Sequence, residues 1–490
     1  MKITLHSPVD LNTLAVMAGG KLILRGVSEK VGVTHICTDS READVNTLFC
    51  AIRGERVDGH DYVAKAADLG CSAFLCERLP DETSIFAYAA ILVPDTVEAM
   101  SRLAGTRRER DLQDLPVVAV TGSVGKTTTK EMIYAVLSSA KKVFKKDGNY
   151  NSTIGLPLSF LEIDPVTECA VLEMGMSSRG EIASMTEAVR PDMAVIANVG
   201  SSHLEYLGTR ENIARAKLEI AQGLRQGGTL IINGDEPLLA RLGQDFREDL
   251  PVIPAGIRVL RVSLAGAPDA DYTAQNITVR DVGMRFDLST PDGIWQDLWI
   301  PAMGEHLVWA AAFAAAVGQL SGLSEGQVKT GLAAYRPADM RQNTRIVGGV
   351  TVIEDCYNAA PESMKAALQV LKLTAASVPD SRRIAVLGDM KELGEDTVAL
   401  HRGVGAACAD KGVDMLITVG ELGAEIANGA LEAGMSPDAI RITGGKDTYG
   451  DTAAYLKSIL REGDHVLFKA SRSMALEKIV EAVIEGMADR

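Results

Sequence analysis

Three apolar runs, VVAVTG (117–122), CAVLEMG (169–175) and MAVIANVG (193–200), are separated by stretches of helical periodicity. Strands that are apolar along their whole length are buried on both faces, and their alternation with helices requires parallel pairing with covering crossovers. From Pro116 the chain is therefore expected to build a doubly wound, largely parallel sheet, with its chemistry at the C-terminal ends of the strands. A second alternating block starts near Val350, where TVIEDCYN, RIAVLGDM, DMLITVG and HVLFKASR read as strands. Before the first block, KLILRGVSEKVGVTHICTDSR reads as extended segments and DYVAKAADLG as an amphipathic helix ending in Gly70.

The polar stretch RRERDLQDLP (107–116) marks a boundary, and 490 residues suit about three domains. The expectation is an α/β protein in three parts. A small mixed domain covers 1–112, a central P-loop ATPase-type domain 113–325 and a Rossmann-like domain 326–490. Residues around Gln275 to Pro301 read as β-hairpins appended to the central domain and followed by an Ala-rich helix.

The first run leads into Gly122-Ser123-Val124-Gly125-Lys126-Thr127-Thr128 and then a helix. Glycines let backbone N–H groups close around phosphate oxygens, and the helix N-terminus adds a positive dipole end. Lys126 would neutralise the terminal phosphates, and the Thr127 hydroxyl would hold magnesium. The spacing is GxxGKT, since Val120 stands where the longer motif has its first glycine. Gly444-Gly445-Lys446 is followed by Asp447, which supplies no hydroxyl, and reads as a turn.

The balance of 50 Lys plus Arg against 65 Asp plus Glu, with only 4% aromatic residues, argues against a nucleic-acid binder. No window reaches the roughly 18 unbroken apolar residues of a membrane span. The start, MKITLHSPVDLNTLAVMAGG, carries Asp10 and no long apolar core, so no signal peptide is expected. Seven scattered cysteines without paired CxxC spacing fit reduced, buried thiols in a cytoplasmic protein.

Further candidates lie at strand ends. Glu173 closes CAVLEMG, His203 follows MAVIANVG, and Asn149 and Asn151 lie in DGNYNSTIG. A carboxylate beside a phosphate loop offers magnesium an oxygen, although taken singly Glu173 could equally be a helix cap and His203 a structural histidine. In ENIARAKLEIAQGLRQ, Ile213, Lys217, Ile220 and Leu224 share one helical face. A lysine on an apolar stripe is driven toward its neutral form, and a neutral amine can take up carbon dioxide as a carbamate, an anionic ligand for a second magnesium. The competing account is a lysine snorkelling off the helix edge.

Together these segments resemble the Mur ligases, the ATP-dependent ligases of bacterial cell-wall precursor synthesis. The likeness runs through TDSR (38–41), GERVDGHDYV, TGSVGKTTTKEM, GNYNSTIGLP, EMGMSSRGEI, HLEYLGTRENIARAKLEI, EDCYNAAPESM, GDMKELG and KASRSM. The resemblance implies a first domain that binds a UDP-sugar-peptide, a central ATPase domain and a mobile third domain. Ser40, Arg41, Asp58 and His60 would lie near the UDP or its sugar. Gly122 to Thr128 would hold ATP, with two magnesium ions at Thr127, Glu173, His203 and a carbamylated Lys217. Asn149, Asn151, Arg179 and Glu181 would line the peptide or phosphate path. Arg341, Asp355 and Asn358 would reach ATP from the third domain, and Ser471 and Arg472 would hold the incoming substrate. His306 is kept at the ATP site, although the family's GxHNxxN reads here Gly304-Glu305-His306-Leu307-Val308-Trp309-Ala310, and YNANP reads Tyr357-Asn358-Ala359-Ala360-Pro361.

The implied reaction, carried by Lys126, Glu173, His203, Lys217 and Arg341, joins D-alanyl-D-alanine to UDP-N-acetylmuramoyl-tripeptide through an acyl phosphate. The implied enzyme is a cytoplasmic monomer. Two alternatives stand beside it, another amide ligase of the folylpolyglutamate type and a P-loop NTPase without ligase activity.

Overall fold

The computed structural model describes residues 1–54, 56–80, 85–240, 242, 253–376 and 378–488. It contains three sheets in chain order, each with its own apolar core.

The first sheet is mixed. Strands Gly32–Cys37, Thr47–Cys50, Ala73–Cys76 and Tyr88–Leu92 run parallel at its centre. Lys2–Asp10 and Lys21–Arg25 close its two edges antiparallel. Every residue of Thr47–Cys50 and Ala73–Cys76 is buried, as continuous apolar strands in a parallel centre must be.

The central sheet has nine strands. Val117–Thr121 lies between Cys169–Glu173 on one side and Met193–Ile196 on the other, all parallel, and Thr229–Asn233 follows beyond Met193–Ile196. The expected hairpins are the strands Tyr272–Arg280, Gly283–Thr290 and Gly293–Ile300, and they extend this same sheet as an antiparallel meander. The Ala-rich helix Glu305–Leu320 packs against the phosphate-loop helix Lys126–Leu137.

Helix Glu325–Ala333 spans the expected boundary at 326. It packs on Lys126–Leu137 and on Gly293–Ile300. The third sheet begins at Asn343–Val347, which pairs antiparallel with Val350–Glu354, and its other four strands are parallel. The Gly-Gly-Lys segment is a turn leading into a short 3-10 helix, Lys446–Thr448. All seven cysteines are buried and free.

Candidate active site

Strand Val117–Thr121 delivers the glycine-rich loop to the C-terminal edge of the central sheet, and Gly125 (φ 78°) turns the chain into the helix that starts at Lys126. That left-handed turn is the conformation a residue with a Cβ resists. The loop is held from the next strand. Asn198 Oδ1 accepts from the Ser123 and Val124 N–H groups at 3.0 Å, and its Nδ2 donates to Val124 O at 2.9 Å. The sequence reading passed over Asn198, although it closes one of the apolar runs. Lys126 Nζ donates to Gly122 O at 2.8 Å, and burial pulls its pKa down while Glu173 opposes the shift. Ser123 Oγ is buried without a partner among the described residues.

On the Cys169–Glu173 side, the Thr127 hydroxyl donates to Glu173 Oε2 at 2.7 Å and Asn151 Nδ2 to Oε1 at 2.8 Å. Burial works against the charged carboxylate, but Lys126, Thr127, Arg341 and Asn151 outweigh it and hold Glu173 below its ordinary pKa. Lys217 is 1% exposed. Burial first, and then the nearby charge of Lys126, push its amine well below the ordinary lysine value. The helix carrying it is shorter than its stripe suggested. Arg210–Leu218 passes into the 3-10 turn Glu219–Ala221, where Glu219 turns inward to accept from Gly180 N–H at 2.9 Å. Ile213, Ile220 and Leu224 are buried all the same.

The third domain closes the other wall of a cavity of about 530 Å³ lined by Ser123 to Thr129, His306, Arg341, Asp355 and Asn358. The Arg341 guanidinium stacks 4.0 Å over the Tyr357 ring, and the Tyr357 hydroxyl bonds Asn149 across the domain boundary. Lys469, a second residue the sequence reading missed, is 2% exposed. It donates to Asp355 Oδ2 at 2.7 Å and to Asn358 O at 2.9 Å. A buried strand-end lysine in KASRSM was the available signal. His306 Nε2 stands 3.1 Å from Gln342 Oε1 at the start of the Ala-rich helix.

His203, expected beside Glu173 as a magnesium ligand, faces the third domain in this arrangement. Its backbone is left-handed (φ 65°), and Nδ1 faces Glu392 Oε2 of the third domain at 2.8 Å, an ion-pair distance outside hydrogen-bond geometry. Both ring nitrogens of His60 are engaged. Nδ1 lies 2.6 Å from Asp58 Oδ1 and Nε2 accepts from Glu77 N–H at 2.8 Å, both contacts within the first domain. Ser40 is buried, while Arg41 is exposed and forked onto Asp39. Arg179 is exposed beside Glu181, which accepts from Ser177 N–H and Ser178 Oγ. Ser471 is buried and accepts from Lys391 N–H, and Arg472 pairs with Glu477 at 2.6 Å.

Among the described residues no three His, Cys, Asp or Glu side chains converge on one metal position. The donor set suits magnesium nonetheless. That ion takes one or two protein oxygens and completes its shell with water and substrate phosphates, and Thr127 and Glu173 supply such oxygens beside the loop.

Family models cover most of the chain. One described as the Mur ligase middle domain matches residues 120–318, one for the Mur ligase glutamate ligase domain 340–472, and one for the Mur ligase family catalytic domain 32–108. The UDP-N-acetylmuramoyl-tripeptide–D-alanyl-D-alanine ligase of Bacillus subtilis is 39% identical over 94% of both chains. Among solved structures, MurF from Acinetobacter baumannii superposes with a TM-score of 0.84 at 29% identity, covering 99% of this chain and all of that one. A MurF ligase from Thermotoga maritima in complex with ADP gives 0.79 at 29% identity, over 93% and 98% of the two chains.

Proposed function

This chain belongs to the Mur ligase family, and from that premise we propose how its residues carry out the family's reaction. It is an ATP-dependent ligase that adds D-alanyl-D-alanine to UDP-N-acetylmuramoyl-tripeptide in peptidoglycan precursor synthesis.

The terminal carboxylate of the tripeptide attacks the γ-phosphate, ADP leaves, and an acyl phosphate results. The free amine of D-alanyl-D-alanine attacks that acyl carbon, loses a proton, and expels phosphate from a tetrahedral intermediate. Both steps crowd negative charge, so the protein's contribution is positioning and electrostatic stabilisation. Lys126 serves the phosphates from the loop, and Arg341 serves them from the third domain, oriented by Tyr357. Thr127 and Glu173 would hold magnesium, which when bound offsets phosphate charge and polarises the transferred group. Lys217, driven neutral, would react with carbon dioxide through its free electron pair, losing a proton and becoming a carbamate that offers a second cation its oxygens. His203 would join the metal site after parting from Glu392. The first domain, through Ser40, Arg41 and Asp58, would receive the UDP-sugar, and Ser471 and Arg472 would lie on the approach of the dipeptide. Closure of the third domain keeps water from the acyl phosphate. The reaction's nucleotide substrates point to the cytoplasm. A monomer suffices, because one chain supplies every wall of the cavity.

The observation that carries this mechanism is the Thr127–Glu173 contact behind a cavity lined by Lys126 and Thr127, which Arg341 completes from another domain, with Lys217 buried within reach of the Lys126 charge. Product mass from purified enzyme, ATP, UDP-tripeptide and D-alanyl-D-alanine tests it. A pentapeptide product is expected. ADP release without a new amide bond would point to a non-ligase NTPase, and turnover only with another amine to a different ligase.

A further inference from the structure

The connection from helix Glu325–Ala333 to strand Asn343–Val347 carries Arg341, and its backbone is left-handed on both sides of that residue. Met340 has φ 55° and Gln342 has φ 53°. The Arg341 N–H closes a turn on Ala338 O at 3.1 Å, with Met340 at the third position, where a positive φ favours glycine or asparagine. Two residues with a Cβ in that conformation are strained, and such residues persist where their surroundings over-determine them.

The surroundings do so from two directions. From the third domain, the Tyr357 N–H donates to Met340 O at 3.2 Å. The Gln342 side chain reaches the other way. Its Nε2 donates to Met303 O, and its Oε1 lies 3.1 Å from His306 Nε2. A carbonyl can only accept, so the amide nitrogen faces Met303 and Oε1 is left for an imidazole protonated at Nε2. Met303 and His306 bracket the start of the Ala-rich helix, which packs on the phosphate-loop helix. Gln342 is thus tied to the body that carries Lys126. Between the two anchors, the Arg341 guanidinium lies 4.0 Å over the Tyr357 ring, and its charge acts on Lys126 and Glu173.

We propose that Gln342 is a positioning residue for Arg341: its amide holds the left-handed connection against Met303 and His306, and so keeps the guanidinium in the cavity beside the phosphate loop. Tyr357 supplies the face on which the guanidinium lies, and Gln342 fixes the backbone that brings it there. The proposal rests on reading Arg341 as serving the phosphates.

Double-mutant kinetics on the full-length enzyme test it, with kcat and each KM measured for wild type, Gln342→Leu, Arg341→Ala and the pair. Gln342→Leu keeps the bulk and loses both amide contacts. It should lower kcat by about tenfold or more, since a small misplacement of a reacting partner is enough. The KM values for UDP-tripeptide and D-alanyl-D-alanine should stay within about twofold. In the Arg341→Ala background the same change should cost less than about twofold, because no guanidinium is left to misplace. Gln342→Gly accepts the left-handed backbone without strain but has no amide. It should lose kcat likewise, and it serves where Gln342→Leu melts early. An equal loss from Gln342→Leu in both backgrounds would overturn the proposal, and so would wild-type kcat in Gln342→Gly. Full kcat in Arg341→Ala would instead remove Arg341 from the phosphates, and the proposal with it. A wild type that forms no amide bond would overturn the ligase reading itself.

Discussion

The Thr127 hydroxyl and the Glu173 carboxylate meet at 2.7 Å, joining the first turn of the phosphate-loop helix to the end of the neighbouring strand. Each is a poor site alone. Held together beside Lys126, they present two hard oxygens where the phosphates of a nucleotide arrive. Glu173→Gln keeps the shape and hydrogen-bonding reach but removes the charge. It should lower kcat by about 10²-fold or more and raise the magnesium concentration needed for half-maximal rate, with little change in melting temperature. A magnesium titration of ligation rate checks this, and an unchanged midpoint would remove Glu173 from the metal site.

Lys217→Ala should abolish measurable ligation while leaving the chain folded. Short-chain carboxylates that fit the vacated space should restore part of the rate. The wild type should also slow in buffer stripped of carbon dioxide and recover on adding bicarbonate. Full activity without carbon dioxide would dismiss the carbamate.

The same lysine predicts a pH dependence of stability. Its folded pKa lies well below the ordinary 10.5. Between those two values the unfolded chain binds the extra proton, so stability rises with pH across that window. The burial penalty is complete below the folded pKa and fades as pH approaches the unfolded one. In buffer free of carbon dioxide, Lys217→Met should therefore melt higher than the wild type near about pH 7, with the gain shrinking toward about pH 10. Melting curves across that range decide it, and a constant difference would contradict the linkage.

The Arg341 guanidinium sits 4.0 Å over the Tyr357 ring, and a lysine cannot reproduce a planar guanidinium on an aromatic face. Arg341→Lys should cut kcat by about 10–10²-fold while the KM for UDP-tripeptide stays within about twofold. A large rise in that KM with kcat intact would place Arg341 at the peptide instead.

Asn198→Ala removes three hydrogen bonds that hold the loop at Ser123 and Val124. The loss should cost about 1–3 kcal/mol of stability and raise the KM for ATP about tenfold, with the KM for D-alanyl-D-alanine unchanged. Steady-state kinetics with each substrate varied in turn separates these effects.

Much of this was legible in one dimension. The strand-loop-helix around Lys126 announced itself because glycine, lysine and threonine must follow one another closely to surround a phosphate. Lys217 stood out because a charge on an apolar stripe is a local anomaly. Asn198 and Lys469 did not stand out, since a polar residue ending an apolar strand is ordinary in sequence and gains meaning only from what faces it. His203 was read toward the metal, whereas its partner in this arrangement is Glu392, from a loop of another domain.

The sequence by itself determined which segments are strands and helices, where the phosphate loop lies and which side chains are chemically able to serve a phosphoryl transfer. Those properties follow from local periodicity and from residue type. Only the tertiary structure decided that helix Glu325–Ala333 packs on the phosphate-loop helix, that Tyr357 reaches Asn149 and that Glu362 accepts from Ser201 of the central domain. Such facts depend on how surfaces far apart in the chain pack against each other, and no local pattern encodes the distance between them.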